Sequence, residues 1–252
     1  MSEWHWWATG IITAAHVVGG VTAFGSSLLA MALLVAVGGT DRLHESVAVL
    51  AWCGLLQAGV IATSNARHIR WREALYTVAS VGVLLPVGRY TAYVASQGAI
   101  KAALGVLLAG AGICLLRAKG AKPLTLPRPV GLGVLALAGC VHGAFASGGT
   151  VLVPYMRLRL PERDSFRATL AAIWTGLNIL LAALVWLPPA GASRPRASGD
   201  VVFIAVACGG ALVATVAGQR IARGLNEKTF AVVVACAMLG SGLLYVSSLL
   251  WR

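Results

Sequence analysis

Two short stretches carry most of the polar chemistry in this sequence: Phe24-Gly25-Ser26-Ser27 and Ala146-Ser147-Gly148-Gly149-Thr150. Each interrupts a long apolar run, and the second is followed by Pro154. Glycine costs a helix about 1 kcal/mol and an interior proline about 3, so both runs are expected to break. A break at membrane depth survives only where protein or water satisfies the freed backbone. The unwound N–H groups and new helix N-termini then suit an anion, which the helix dipole favours. Hydroxyls of Ser26, Ser27, Ser147 and Thr150 add donors. Close helix packing through small residues is the plainer reading of one break. Two breaks in corresponding places favour the anion site.

A second constellation is the stripe Arg167, Ala171, Trp174 and Asn178. These positions fall at i, i+4, i+7 and i+11, one face of a helix, and offer a cation, room, an apolar wall and an amide. Arg167 has a competing role, snorkelling to the membrane surface. Asn178 and Gln57 have one too, bonding a neighbouring helix. His16 and His142 lie inside the two long runs, where ionisable groups are functional suspects. Each is a candidate to hydrogen-bond an anion or carry a proton. Cys140 and His142 alone do not make a metal site, and no cofactor motif is present.

What is missing narrows the chemistry further. The eight acidic residues fall at expected span ends or in connectors, so no buried carboxylate is expected. That argues against a cation channel or a sodium-coupled importer. The five cysteines are scattered singly within apolar segments and read as buried, inert thiols.

The elements that hold these residues are membrane spans. Of 252 residues, 58% are hydrophobic and 11% charged, against about 25% charged in a soluble domain. A span takes about 20 apolar residues, and such runs occur at 10–37, 46–64, 74–95, 99–116, 130–156, 168–188, 200–219 and 229–250. The expected fold is therefore an all-α integral membrane protein of about eight hydrophobic segments. The net charge of +12 does not indicate nucleic acid, because Lys and Arg sit almost entirely in short connectors, where they orient spans. Trp4, Trp6 and Trp7 suit an interfacial anchor.

The chain divides into two related halves, 1–118 and 130–252, joined by a Pro-punctuated linker at 119–129. An offset of 123 pairs Gly20 with Gly143, Ala23 with Ala146 and Gly25 with Gly148, and an offset of 130 pairs Gly88 with Gly218. The openers 10–37 and 130–156 are long for one span, and each is expected to be broken or re-entrant, a hairpin of two half-helices. If all eight segments cross, Lys and Arg divide 10 against 10 between the two sides. If the openers turn back, the division is 14 against 6, and positive-inside bias puts both termini outside. The halves then become inverted four-segment repeats, a plan common in secondary transporters.

At these residues the chain resembles the TauE/SafE family of membrane permeases. The second half carries the resemblance best, through Gly139, Gly143, Ser147-Gly148-Gly149, Val153-Pro154 and Ala168-Thr169. The first half departs from it with Gly25-Ser26-Ser27, Met31 in place of the proline, and Glu45-Ser46. The resemblance implies a permease, not an enzyme, that exports sulfite or organosulfonates such as sulfoacetate across the bacterial inner membrane. The Arg167–Asn178 stripe suits a sulfonate. With no buried acid for coupling, export is expected to follow the membrane potential. The expected partners are the anion and the lipid bilayer, with a homo-oligomer left open. The rival reading is a membrane-embedded lipid-pyrophosphate phosphatase, which needs intramembrane carboxylates for acid–base work.

Overall fold

A computed structural model describes residues 1–117, 127–160, 162–186, 201–222 and 239. Ten α-helices and no strand occur among the described residues. In chain order they are α1 (Glu3–Thr22), α2 (Ser26–Gly38), α3 (Leu43–Ser64), α4 (Trp71–Gly82), α5 (Leu85–Val94), α6 (Gln97–Arg117), α7 (Arg128–Phe145), α8 (Gly149–Arg159), α9 (Arg163–Trp186) and α10 (Val201–Ala222). Among the described residues, four helical stretches are long and apolar enough to cross a membrane: Thr40–Ser64, Arg128–Phe145, Arg163–Trp186 and Val201–Ile221. The protein is a multi-pass helical membrane protein. Apart from residue 239, the expected segment 229–250 lies outside the described residues, as do linker residues 119–126 and the stretch 188–199.

Both openers break where their glycines and serines stand. The helix of the first ends at Ala23 and restarts after Gly25; the second ends at Ala146 and restarts after Gly148. Ala23 and Ala146 are the only non-glycine residues with positive φ among the described residues, at 65° and 53°. That left-handed backbone is uncommon away from glycine. It recurs at the pair of alanines that the 123-residue offset relates. The arms are unequal rather than two half-helices: α1 and α7 have 20 and 18 residues, α2 and α8 have 13 and 11. At 1.5 Å per residue α7 alone is about 27 Å long, close to the thickness of the hydrocarbon core.

The third segment, expected to be continuous over 74–95, is also broken. Helix α4 stops at Gly82 and α5 begins at Leu85, with Pro86 in its first turn. Proline has no N–H to offer the carbonyl four residues back, so the chain tightens instead, Leu84 N–H donating to Val81 O at 3.1 Å.

The packing repeats as the sequence does. Helices α3 and α9 cross at the centre, α1 packs on α10, and α5 packs on α7. A Cβ on Gly143 would strike the carbonyl of Leu85, and one on Gly88 the backbone of Cys140. In the other half, a Cβ on Gly20 would strike the carbonyl of Thr215, and one on Gly218 that of Val17. Val17, Gly20, Leu85 and Gly88 map onto Cys140, Gly143, Thr215 and Gly218 by the two offsets. Each opener is thus clasped by the third segment of the opposite half, through backbones brought close by small residues.

Two expectations are corrected by burial, and the cysteine reading is extended. Arg89 belongs to no connector; it is 3% exposed, on the inner face of α5. Glu45 is buried at 5% exposure, so a buried carboxylate does exist. It begins α3, pairs with Arg42 at 2.8 Å and shares a hydrogen bond with Nε2 of His5 at 3.0 Å. A carboxylate leaves water at acceptable cost when so paired. Cys53 and Cys208, far apart in sequence, bring their sulfurs within 3.8 Å as free thiols.

Candidate functional site

The two breaks line one cavity, part of it open to solvent. Its walls come from four places: Ala23–Leu28 at the first break, Ala146–Thr150 at the second, Gly54, Gln57, Ala58 and Ile61 on α3, and Trp174 and Asn178 on α9. His142, Val153 and Pro154 complete it. The crossing of α3 over α9 brings these walls together, and Gly54 permits the approach. A Cβ there would lie 3.0 Å from the Asn178 amide nitrogen.

Eleven of the thirteen residues expected from sequence line this cavity: Gly25, Ser26, Ser27, Gln57, His142, Ser147, Gly148, Gly149, Thr150, Trp174 and Asn178. The other two do not. His16 is fully buried, its Nδ1 2.7 Å from the carbonyl of Ile12. Arg167 is half-buried and donates from Nη2 to the carbonyl of Gly20 at 3.4 Å. The stripe on α9 therefore delivers its indole and amide to the cavity and its guanidinium to the end of α1.

Hydrogen bonds sort the lining into braces and open donors. Gln57 is a brace: its amide nitrogen donates to the carbonyl of His16 and to Thr215 Oγ1, both at 3.0 Å. Its oxygen accepts from Ser26 Oγ at 2.6 Å. One amide so ties α1, α2, α3 and α10 together. The hydroxyls are mostly spent as well, Ser147 on the carbonyl of Phe145 at 2.9 Å and Thr150 on that of Ser147 at 3.4 Å. The donor supply expected from Ser26, Ser147 and Thr150 is thus consumed by the breaks themselves. Short polar side chains beside an unwound backbone bond it before anything else.

The second break has its own brace. Gly148 N–H donates to His142 Nδ1 at 3.3 Å. A ring nitrogen that accepts carries no proton, so the proton of the neutral ring is on Nε2. That atom is buried without a partner. Trp174, whose ring lies 5.5 Å from that of His142, also has its indole nitrogen buried and unpartnered, as is Asn178 Oδ1. A turn of the Asn178 amide exchanges that oxygen for an N–H.

Position 19, which corresponds to His142 at the 123-residue offset, is glycine. Its empty space is taken by Gln57, whose Oε1 would lie 2.5 Å from a Cβ there. The two breaks are therefore backed differently, the first by an amide from α3 and the second by an imidazole of α7. Sequence comparison alone pairs His16 with nothing, and nothing in the spacing signals that Gln57 fills the gap.

Helices α2 and α8 both begin at the cavity, and neither has a side-chain cap at its start. The first-turn N–H groups of a helix have no partner within it, and they concentrate its positive pole. Among the described residues, no Lys, Arg, Asp or Glu lines the cavity.

A family model described as "Sulfite exporter TauE/SafE" matches residues 8–245. Among curated proteins and among solved structures, none matches.

Proposed function

The chain belongs to the TauE/SafE sulfite exporter family, and from that premise we propose that it exports small sulfur oxyanions, sulfite or an organosulfonate, through the cavity between the two breaks. The observation that carries this reading is the convergence of two uncapped helix starts, α2 and α8, on one cavity without charged walls. Around them stand the unpartnered N–H groups of His142 and Trp174. Donors without acceptors complement an anion; they repel a cation and leave a neutral solute unrewarded.

The paired positive-φ alanines and the reciprocal glycine contacts support reading the halves as inverted repeats that rock about a fixed site. Both termini then lie outside and the linker inside. Outward movement of an anion follows the inner-membrane potential, and Arg167, outside the cavity, is assigned to its cytoplasmic approach. Purified protein in liposomes loaded with sulfite tests the proposal, with phosphate release from a lipid pyrophosphate as the rival measurement. Sulfite efflux by wild type that Gly149→Val removes is the expected result. Phosphate release without efflux would show the reading to be wrong.

A further inference from the structure

Arg89 carries a buried charge outside the cavity, with no counter-ion among the described residues. Arg89 donates from Nη2 to Tyr93 Oη at 3.1 Å, and its guanidinium lies over the Tyr93 ring at 4.8 Å. Tyr93 in turn stacks on His44, ring centroids 4.1 Å apart. Nε and Nη1 of Arg89 are buried without partners, and so is Nδ1 of His44. Among the described residues no carboxylate pairs with Arg89.

The guanidinium is directed along its own helix toward Tyr93. The opposite face of α5 and the turn before it expose Val83, Val87, Tyr90 and Val94, an apolar surface suited to lipid. Arg89 sits about 9 Å in from the end of α5 at Ala95, at 1.5 Å per residue. Arginine stays protonated in proteins, and a buried lone charge is strongly unfavourable until an opposite charge joins it.

We propose that Arg89, Tyr93 and His44 form a second anion site, which takes a small free oxyanion of sulfur or phosphorus. Two guanidinium nitrogens, a phenol whose proton is free to donate, and an imidazole present donors to one ligand rich in acceptors. The burial of Arg89 suits a small ion better than a lipid headgroup. Helix α5 approaches the cavity wall: a Cβ on Gly143 would lie 3.0 Å from the backbone nitrogen of Arg89, and His142, the residue before Gly143, lines the cavity. Gly20, the counterpart of Gly143, has Arg167 on its carbonyl. Each opener thus has one arginine beside its last turn. On the transport reading, to which this role alone is tied, Arg167 serves the way in and Arg89 the way out.

The test is thermal unfolding of purified protein in phosphatidylcholine nanodiscs, with sodium sulfite against sodium chloride at equal ionic strength. Wild type, Arg89→Gln, Arg89→Lys and Gly149→Val are compared. Sulfite is expected to raise the unfolding temperature of wild type, less that of Arg89→Gln, and to an intermediate degree that of Arg89→Lys. In chloride, Arg89→Gln is expected to match or exceed wild type, since it removes a lone buried charge. Gly149→Val keeps the part of the sulfite gain that depends on Arg89 while losing flux, which separates the second site from the central one. An unchanged sulfite gain in Arg89→Gln overturns the proposal, whatever that variant's stability in chloride. An Arg89-dependent gain from added phosphatidylglycerol but none from sulfite also overturns it, and assigns the pocket to a lipid phosphate.

Discussion

Gly148 donates its backbone N–H to Nδ1 of His142 at 3.3 Å, across a break that α7 and α8 share. The contact does two things at once. It holds the unwound segment, and it leaves the only ring proton on Nε2, an atom with no other partner. The residue that braces the break thereby becomes a donor of the cavity.

His142→Phe keeps an aromatic ring beside Trp174 and removes both nitrogens. A hydrogen bond to a charged group contributes about 1.5–3 kcal/mol, so KM for sulfite is expected to rise about 10- to 100-fold. Initial rates of efflux over a range of internal sulfite concentrations measure it. An unchanged KM returns His142 to bracing alone.

Gly148 and Gly149 are adjacent yet should behave differently. A Cβ on Gly148 would lie 2.8 Å from both the carbonyl of Ala138 and His142 Cβ, whereas on Gly149 the nearest atom is Trp174 Cζ2 at 3.6 Å. Gly148→Val is expected to lower both yield and thermal stability. Gly149→Val is expected to fold normally and block transport by filling the cavity. Size-exclusion profiles set beside flux for the two variants decide between this and equal behaviour.

Gln57 is expected to matter for stability more than for affinity. Gln57→Leu leaves Ser26 Oγ without its acceptor and takes the donor from the carbonyl of His16. Each buried group left unpaired costs about 1–3 kcal/mol. The unfolding temperature in detergent should fall clearly, while the KM of surviving protein stays near wild type. A raised KM without a stability loss would make Gln57 a ligand of the anion.

The topology prediction follows from the distribution of Lys and Arg. Arg89 is withdrawn from that count because it is buried, but it stood on the minority side, so the bias keeps its direction. Reporter fusions at residues 1, 124 and 252 should read outside, inside and outside. A cytoplasmic C-terminus is incompatible with inverted halves.

Sulfite efflux should respond to voltage. A potential of 100 mV is worth about 2.3 kcal/mol per charge, which corresponds to roughly a 50-fold bias for a monoanion. Proteoliposomes clamped with valinomycin and potassium gradients read this directly. Flux that ignores the potential and follows a pH gradient would point to proton coupling, with His142 and the buried His5–Glu45 pair as the places to begin.

Much of the framework was legible in the sequence because a bilayer makes severe local demands. Apolar runs of span length identified a helical membrane protein, and glycine and serine clusters inside two of them, with a 123-residue offset, identified both breaks. The offset even paired Ala23 with Ala146, which share an uncommon backbone conformation. These are properties of the chain near each residue: its hydropathy, its backbone freedom, its spacing. The break after Gly82 was missed, although Pro86 in the first turn of α5 is a local signal for it.

Tertiary structure alone decided who bonds to whom. The hydroxyls of Ser26 and Ser147 read as ligand donors until the fold assigned their protons to Gln57 and to the carbonyl of Phe145. Arg167 shares a helix face with Trp174 and Asn178, yet only the latter two line the cavity, because a long side chain reaches the nearest free carbonyl, here that of Gly20. Arg89 counted as one more basic residue until packing of α5 on α7 enclosed it. Burial and hydrogen-bond partnership are properties of pairs far apart in the chain, and no local pattern encodes them.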